Sequence, residues 1–167
     1  IVGHVGAVLS WAVAEGYLAE HPAREVSLPA APDTAQPYNL TGAEVDRLEK
    51  MDLPDHLIPY RDAWLLAREL CLHHADYLQL SRDTVTYNPA REVYMVSMFR
   101  KKQRSGKKIR IINVLSGRAR RIWEAYGGAA PRLESYTSTR KALAQIGQLA
   151  GLERTLQFGH ARDSGIF

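Results

Sequence analysis

The final residues, LQFGHARDSGIF (156–167), place two polar side chains, His160 and Arg162, within an apolar and glycine-rich run. An arginine fork and an imidazole N–H both donate hydrogen bonds to phosphate oxygens, and arginine keeps its charge at any physiological pH. The spacing of the two comes close to that of a phosphate-binding site. The alternative interpretation is that the stretch only begins a last helix.

A second group of reactive side chains lies upstream in CLHHAD, where Cys71, His73, His74 and Asp76 are potential metal ligands, with His56 as a further one. Adjacent histidines seldom bind one ion, the spacing matches no zinc pattern, and Cys71 falls in a predicted buried helix. We therefore predict no metal site, and we interpret these histidines as core or turn residues.

Positive charge is concentrated in one block. The chain has a formal net charge of +4, but of its 22 basic residues ten lie between Tyr94 and Trp123, which contain no acidic residue. The rest holds 12 basic and 18 acidic residues. The ten are Arg100, Lys101, Lys102, Arg104, Lys107, Lys108, Arg110, Arg118, Arg120 and Arg121. A basic block in an otherwise acidic chain is typical of a polyanion-binding face. A solvated surface hairpin is the alternative.

Composition and motifs exclude several classes of protein. No apolar run approaches the roughly 18 residues that a membrane span needs. The sequence contains no GxxxxGK[ST], GxGxxG or GxSxG string, so nucleotide binding and triad hydrolysis lack support. Its single cysteine, Cys71, excludes an intrachain disulfide, and no signal peptide is visible. We expect a cytoplasmic protein without a cofactor.

Periodicity predicts helices in the first part of the chain. Residues 2–19 carry apolar side chains at helical spacing, and Gly16 predicts the end of this helix. LPAAPDTAQPYN has three prolines and no periodicity, which predicts an extended linker. TGAEVDRLEKM then opens with a capping box of Thr41 and Glu44, which predicts the first helix of a second domain.

The second domain is predicted to combine helices with a small sheet. RDAWLLARELCL and ADYLQL indicate a buried helix and a shorter one. DTVTYN, EVYMVSMF and KKIRIINV are rich in β-formers and predict three antiparallel strands, with the basic block on the second turn. SGRARRIWEAYGG and TSTRKALAQIGQLAG indicate two more helices. Trp64 and Trp123 are predicted to lie in the core. The expected fold class is mainly α with a small three-stranded antiparallel sheet (α+β).

Two strings and this order of elements resemble the tyrosine recombinase (phage integrase) family, particularly the integrases of Bacteroidetes mobile elements. WAVAEGYLAEHPA stands where the family's core-binding domain ends, and LTGAEVDRL matches the LTxxE that follows the linker. The resemblance implies that residues 1–30 hold the last helix of a core-binding domain and the start of the linker. Residues 31–167 would be a recombinase-like catalytic domain of the DNA breaking-rejoining fold, truncated before the nucleophilic tyrosine.

The resemblance also implies phosphate-binding residues that need no metal. The family's first arginine lies in a string like GLRxxE, and CLHHAD matches it at Leu72 and Asp76. His73 stands at the arginine position and Cys71 at the glycine position. A histidine has at most two donors, against five in the permanently charged arginine fork.

The family's hairpin lysine, which protonates the leaving 5′ oxygen, matches Lys102 in FRKKQRSGKK, and Lys101 is the near alternative. The second arginine belongs to a string like FHxARHS, and FGHARDS matches it with Arg162.

This alignment places Gly159 at the first histidine of the string and Asp163 at the second. His160, one residue late, is retained as a candidate catalytic residue beside Lys102, Arg162 and His73.

The function implied is double-stranded DNA binding in integration or site-specific recombination of a mobile element, with a possible homo-oligomer on DNA and no membrane. We expect this chain to be inactive, since no tyrosine follows Tyr136 and several catalytic positions differ. The alternatives are a degenerate module that binds DNA or a protein partner without cleavage, and a helical interaction domain with an incidental basic hairpin. The expected DNA-binding side chains are Arg100, Lys101, Arg104, Lys107 and Lys108.

Overall fold

The structure is a computed structural model that describes residues 2–22, 38–101, 108–115 and 117–165. The chain divides into two compact units, Ile1–Gln36 and Pro37–Phe167. Three of the expected site residues, Lys102, Arg104 and Lys107, lie outside the described residues, as does most of the predicted linker. The assignment of residues 1–30 to a core-binding domain and of 31–167 to a catalytic domain stays a prediction.

The first unit contains helix α1 (Val2–Ala14). Gly16 follows it with a φ of 78°, a left-handed conformation that glycine adopts at little cost and that commonly ends helices. None of the helices in the described part of the chain is both long and apolar enough to cross a lipid bilayer.

The second unit is mainly helical with a small sheet, as predicted. Its described helices are α2 (Gly42–Lys50), α3 (Ile58–Glu69), α4 (His74–Tyr77), α5 (Gly117–Ala125), α6 (Tyr136–Leu149) and α7 (Phe158–Ser164). Its strands are β1 (Val85–Asn88), β2 (Val93–Phe99) and β3 (Arg110–Leu115), which form one antiparallel sheet in the order β1-β2-β3. The fold class expected from the sequence is confirmed.

Strands β2 and β3 form the hairpin that flanks the predicted basic turn, of which residues 102–107 lie outside the described residues. Phe99 pairs with Arg110 in the ladder, and the Arg100 N–H donates to the Ile109 carbonyl at 2.9 Å, one step beyond the last strand pair. Val96 on β2 is fully buried, so the inner face of the sheet packs against the core. The register of the hairpin is therefore fixed up to its turn.

Helix α3 lies at the centre of the core. Trp64 is 1% exposed, and its indole N–H donates to the Gln157 carbonyl at 3.0 Å, immediately before α7. Trp123 on α5 is also buried, so both tryptophans are core residues as predicted. Helix α3 begins at Ile58, earlier than its predicted start at residue 61, because Pro59 is well suited to a first helical turn.

Cys71 corrects one sequence prediction: it lies beyond the end of α3 rather than within a buried helix. Its φ is 51°, its N–H donates to the Arg68 carbonyl at 3.1 Å, and the Leu72 N–H donates to the Ala67 carbonyl at 2.8 Å. This is the Schellman arrangement, in which glycine is the usual residue. Cys71 thus adopts, despite its side chain, a backbone conformation that favours glycine, the residue type of the position to which the resemblance matched it.

The arginines of α5 belong to the structural part of the basic block. Arg118 has N–O distances of 2.8 to 3.0 Å to Asp46, Glu49 and Glu69, and Arg121 lies 2.9 Å from Glu49. These contacts hold α5 to α2 and α3. The block is therefore divided, and the hairpin is the part that remains as a candidate polyanion-binding surface.

Candidate functional site

His73 is held at the first turn of α4 by its neighbours in sequence. It has extended backbone angles, and its carbonyl accepts the N–H groups of Asp76 at 3.0 Å and Tyr77 at 2.8 Å. Leu72 before it and Asp76 and Tyr77 after it are buried. The backbone at His73 is thus fixed on both sides, while the imidazole remains exposed.

Arg162 is positioned by the buried side of α7. Phe158, Ala161 and Ser164 are buried, and the Ser164 hydroxyl accepts the Leu40 N–H at 2.9 Å. Buried residues at positions i, i+3 and i+6 mark one face of a helix, which here packs on the core. The Arg162 side chain, 35% exposed, lies at the edge of this face and reaches solvent.

The side chains of His73 and Arg162 meet although they are 89 residues apart in sequence. Arg162 Nη1 lies 2.5 Å from His73 Nε2. A guanidinium can only donate, so Nε2 accepts and the imidazole is neutral, with its proton on Nδ1. Burial and the nearby positive charge of Arg162 lower the pKa of His73, which favours the same form. The fold thus brings together two of the candidate catalytic residues, His73 and Arg162, while a third, Lys102, lies outside the described residues.

Further charges surround the pair. Arg162 Nε lies 3.4 Å from Asp163 Oδ1 on the same helix. Asp76 and Asp163 act to raise the pKa of His73, whereas Arg100 acts with Arg162 and with burial to lower it. The lowering effects prevail. The site thus combines two arginines and two carboxylates around His73, and it is partly open to solvent.

Asp76 connects the pair to the base of the basic hairpin. Its carboxylate is 3% exposed; Oδ1 accepts the Lys101 N–H at 2.8 Å, and Oδ2 lies 3.8 Å from Arg100 Nε. A buried carboxylate requires such partners, because an unpaired charge is costly to bury. The resemblance singled out Asp76 as a match but did not indicate this bond, which fixes the residue directly before Lys102 beside the His73 turn.

The structure places His160 away from the pair. Its Nδ1 accepts the Gln157 N–H at 3.3 Å, and its ring packs edge-on against Tyr38 with 5.2 Å between centroids. Residues two apart on a helix point in nearly opposite directions, so His160 does not share the side of Arg162. Gly159, three residues before Arg162, does share it, and a Cβ built there would meet nothing within 4 Å.

His74 has a structural environment, as the core or turn interpretation predicted. Its ring packs edge-on against Tyr136 and Phe158, with centroids 5.1 and 5.0 Å away, and burial lowers its pKa. In the parts of the chain that the structure describes, no group of three or more His, Cys, Asp or Glu residues is arranged to hold a metal ion.

Comparison with solved structures connects this arrangement to a known fold. The chain is similar to two structures of the XerH site-specific recombinase, one with its difH substrate before cleavage and one with a palindromic difH substrate after cleavage. The TM-score is 0.56 for both, at 12% and 13% identity over 76% and 77% of this chain. The chain has a tyrosine recombinase-like fold. It covers 41% of the length of each XerH chain. No protein-family model and no curated protein matches it.

The lowered pKa values of three histidines predict how the stability of the folded chain depends on pH. Burial is the main cause that lowers the pKa values of His73, His74 and His160 in the folded chain. The unfolded chain therefore binds more protons just below the ordinary histidine pKa of about 6.5. Stability is expected to be full above about pH 7 and to decline as the pH falls through 6.5.

Urea unfolding at pH 7.5, 6.5 and 5.5 measures this dependence. Replacing His74 by Phe should flatten it, because the His74 Nε2 is buried without a hydrogen-bond partner among the described residues and the site is aromatic. A midpoint that is constant from pH 7.5 to 5.5 in the unchanged protein contradicts the prediction.

Proposed function

We propose that the second unit binds duplex DNA, with the β2–β3 hairpin and the His73–Arg162 pair forming one phosphate-binding surface. The observation that carries the proposal is the 2.5 Å contact between two side chains 89 residues apart. The fold brings this contact beside the anchored base of the basic hairpin, where Lys101 is bonded to Asp76. Cations from α7 and from the hairpin thus converge beside the His73 ring, an arrangement suited to contacts with phosphate oxygens.

Among the described residues, the contrast between ion-paired arginines on α5 and exposed cations on the hairpin supports this surface. The α5 arginines are engaged with carboxylates, whereas Lys101, Lys108 and Arg110 on the hairpin are exposed. Arg110 donates to the neutral Ser97 hydroxyl at 2.7 Å, so it keeps a full positive charge for a ligand. The XerH structures of similar fold are complexes with difH substrates, which agrees with a DNA ligand for this fold.

The proposal extends to a biological setting. The chain acts in DNA integration or site-specific recombination of a mobile element, in the cytoplasm, and more than one copy assembles on the DNA. His73 and Arg162 contact the phosphate, Lys102 acts as the hairpin lysine that the resemblance implies, and Arg100, Lys101, Arg104, Lys107 and Lys108 contact the DNA backbone. Strand cleavage is not part of the function of residues 1–167.

Affinity for a random duplex, measured by fluorescence anisotropy, tests DNA binding. If about five side chains neutralise phosphates, raising the salt from 50 to 200 mM should weaken binding roughly several hundred-fold through release of counterions. An affinity that does not depend on salt, or no binding at 50 mM salt, contradicts the proposal.

A matched pair of charge reversals tests the location of the surface. Lys101→Glu with Lys108→Glu changes the flanks of the hairpin turn, and should reduce the salt slope by about two and the affinity at least about tenfold. The control is the double variant Lys50→Glu with Arg91→Glu, which makes the same change in net charge. Lys50 is exposed on α2, and Arg91 is exposed in the β1–β2 turn. Equal effects of the two double variants would show that only net charge matters.

A further inference from the structure

His73 can lose its positive charge at physiological pH, whereas an arginine at the same position could not. The contact with Arg162 makes this difference important. With Arg162 Nη1 donating to Nε2, the imidazole has only Nδ1–H left to offer. The nitrogen that faces Arg162 is therefore occupied as an acceptor. In the free protein the pair presents one cation, not two.

A bound phosphate changes the balance of this pair. The Arg162 side chain is 35% exposed, so a phosphate oxygen can approach its N–H groups from the solvent side. An oxygen between Arg162 and His73 then needs a hydrogen on Nε2, which the ring gains either by moving its proton from Nδ1 or by taking up a second proton, and only the second route adds a positive charge beside the phosphate. The protonated ring also gains attraction to the phosphate charge.

The charged groups that face His73 determine how easily it accepts this proton. Arg162 on α7 and Arg100 at the end of β2 disfavour the imidazolium, whereas Asp76 on α4 and Asp163 on α7 favour it. A phosphate placed against Arg162 offsets the repulsion from that arginine. Protonation thus becomes easier in the complex than in the free protein.

We propose that binding of a DNA phosphate at the His73–Arg162 pair takes up a proton on His73, so that DNA binds more tightly as the pH falls. This inference rests on the proposed DNA-binding function and adds a regulation of the same site. An arginine at position 73 would stay charged at every physiological pH and would give no such dependence.

Proton linkage determines the size and the window of the effect. One proton taken up on binding changes the affinity by at most about tenfold per pH unit. The change occurs between the pKa of His73 in the free protein, which lies below the usual histidine value, and its higher pKa in the complex. Affinity should level off on either side of this window.

Anisotropy titrations with duplex DNA from pH 5.5 to 8.0 at constant ionic strength measure the dependence. The unchanged protein should bind more tightly at low pH, whereas His73→Arg and His73→Gln should both reduce the pH slope by up to one proton. His56→Gln removes an exposed histidine elsewhere and should leave the slope unchanged. An equal slope in all four proteins would overturn the coupling and leave DNA binding standing.

A second measurement separates the coupling from DNA binding itself. The imidazole resonances of His73 are titrated by NMR with and without inorganic phosphate, and phosphate should raise the pKa of His73. If no duplex binds at any pH, the proposed function fails, while this titration still reports on the pair. A His73 titration curve that phosphate does not move overturns the inference.

Discussion

Residues 1–167 are expected to form no covalent adduct with a nicked suicide duplex. His73 supplies the proposed phosphate site with a titratable ring, whereas a guanidinium would supply a fixed charge and five donors. Gly159 lies on the same side of α7 as Arg162 but has no side chain to donate a hydrogen bond. The Asp163 carboxylate lies 3.4 Å from Arg162 Nε. Loss of one arginine in phosphoryl transfer can cost on the order of 10³-fold or more in rate.

A denaturing gel shows whether the protein shifts with the DNA strand. Effects within one catalytic set are not additive, so the separate losses cannot be multiplied into a rate. A shifted band that resists denaturation would overturn the prediction and would require a tyrosine of this chain or of a second copy as the nucleophile.

A double variant tests whether the residues at positions 73 and 159 limit phosphate binding at the proposed site. His73→Arg with Gly159→His should bind inorganic phosphate at least about tenfold more tightly, because it adds charge-assisted donors on both sides of the site. Position 159 has room, since a Cβ there meets nothing within 4 Å. Gly42→His, in an equally open position on α2, is the matched control. Unchanged phosphate affinity in a folded double variant would mean that the site differs at other positions as well.

Gly165→Ala is expected to lower the free energy of unfolding by about 3 kcal/mol, the upper end of overpacking costs. A Cβ at Gly165 would clash with the Arg68 carbonyl oxygen and would lie 3.0 Å from Cys71 Sγ. The first of these atoms belongs to the backbone of α3 and cannot rotate away. Helix α7 would have to separate from α3, which also breaks the 3.3 Å hydrogen bond from the Cys71 thiol to the Gly165 carbonyl.

Urea unfolding of Gly165→Ala and Gly159→Ala makes the comparison within one segment. Gly159 lies in α7 with open space around it, so alanine there should be neutral or stabilising by up to about 1 kcal/mol. The site provides a second readout: if α7 shifts, Arg162 leaves His73 and the pKa of His73 moves toward its usual value. Similar stability of the two variants would contradict the steric argument.

Local patterns predicted the elements well because each has a local cause. The capping box of Thr41 and Glu44 forms as expected, with the Thr41 N–H donating to Glu44 at 2.7 Å. The buried faces of Trp64 and Trp123 follow from apolar spacing along single helices. The contact between His73 and Arg162 was predictable only through the resemblance, since no local rule joins residues 89 positions apart.

The features that the sequence did not reveal depend on distant partners. Arg118 counted toward a polyanion-binding block, and only the fold shows that Glu49, 69 residues away, engages it. His160 is a histidine within a string that resembles a phosphate-binding motif, but its position on α7 turns its ring toward Tyr38. The left-handed backbone at Cys71 contradicts the usual preference of a residue with a side chain, so the apolar pattern of RDAWLLARELCL predicted a helix that continues through Cys71.

The hydrogen bond from Leu40 to Ser164 spans 124 residues and has a consequence for the order of assembly. During synthesis, Leu40, His73 and the hairpin lysines leave the ribosome well before α7 does. Contacts that close such long loops form late, after local helices and hairpins. The growing chain therefore presents its hairpin before the His73–Arg162 pair exists, and until α7 has left the ribosome and packed on the core, it attracts polyanions only through non-specific charge.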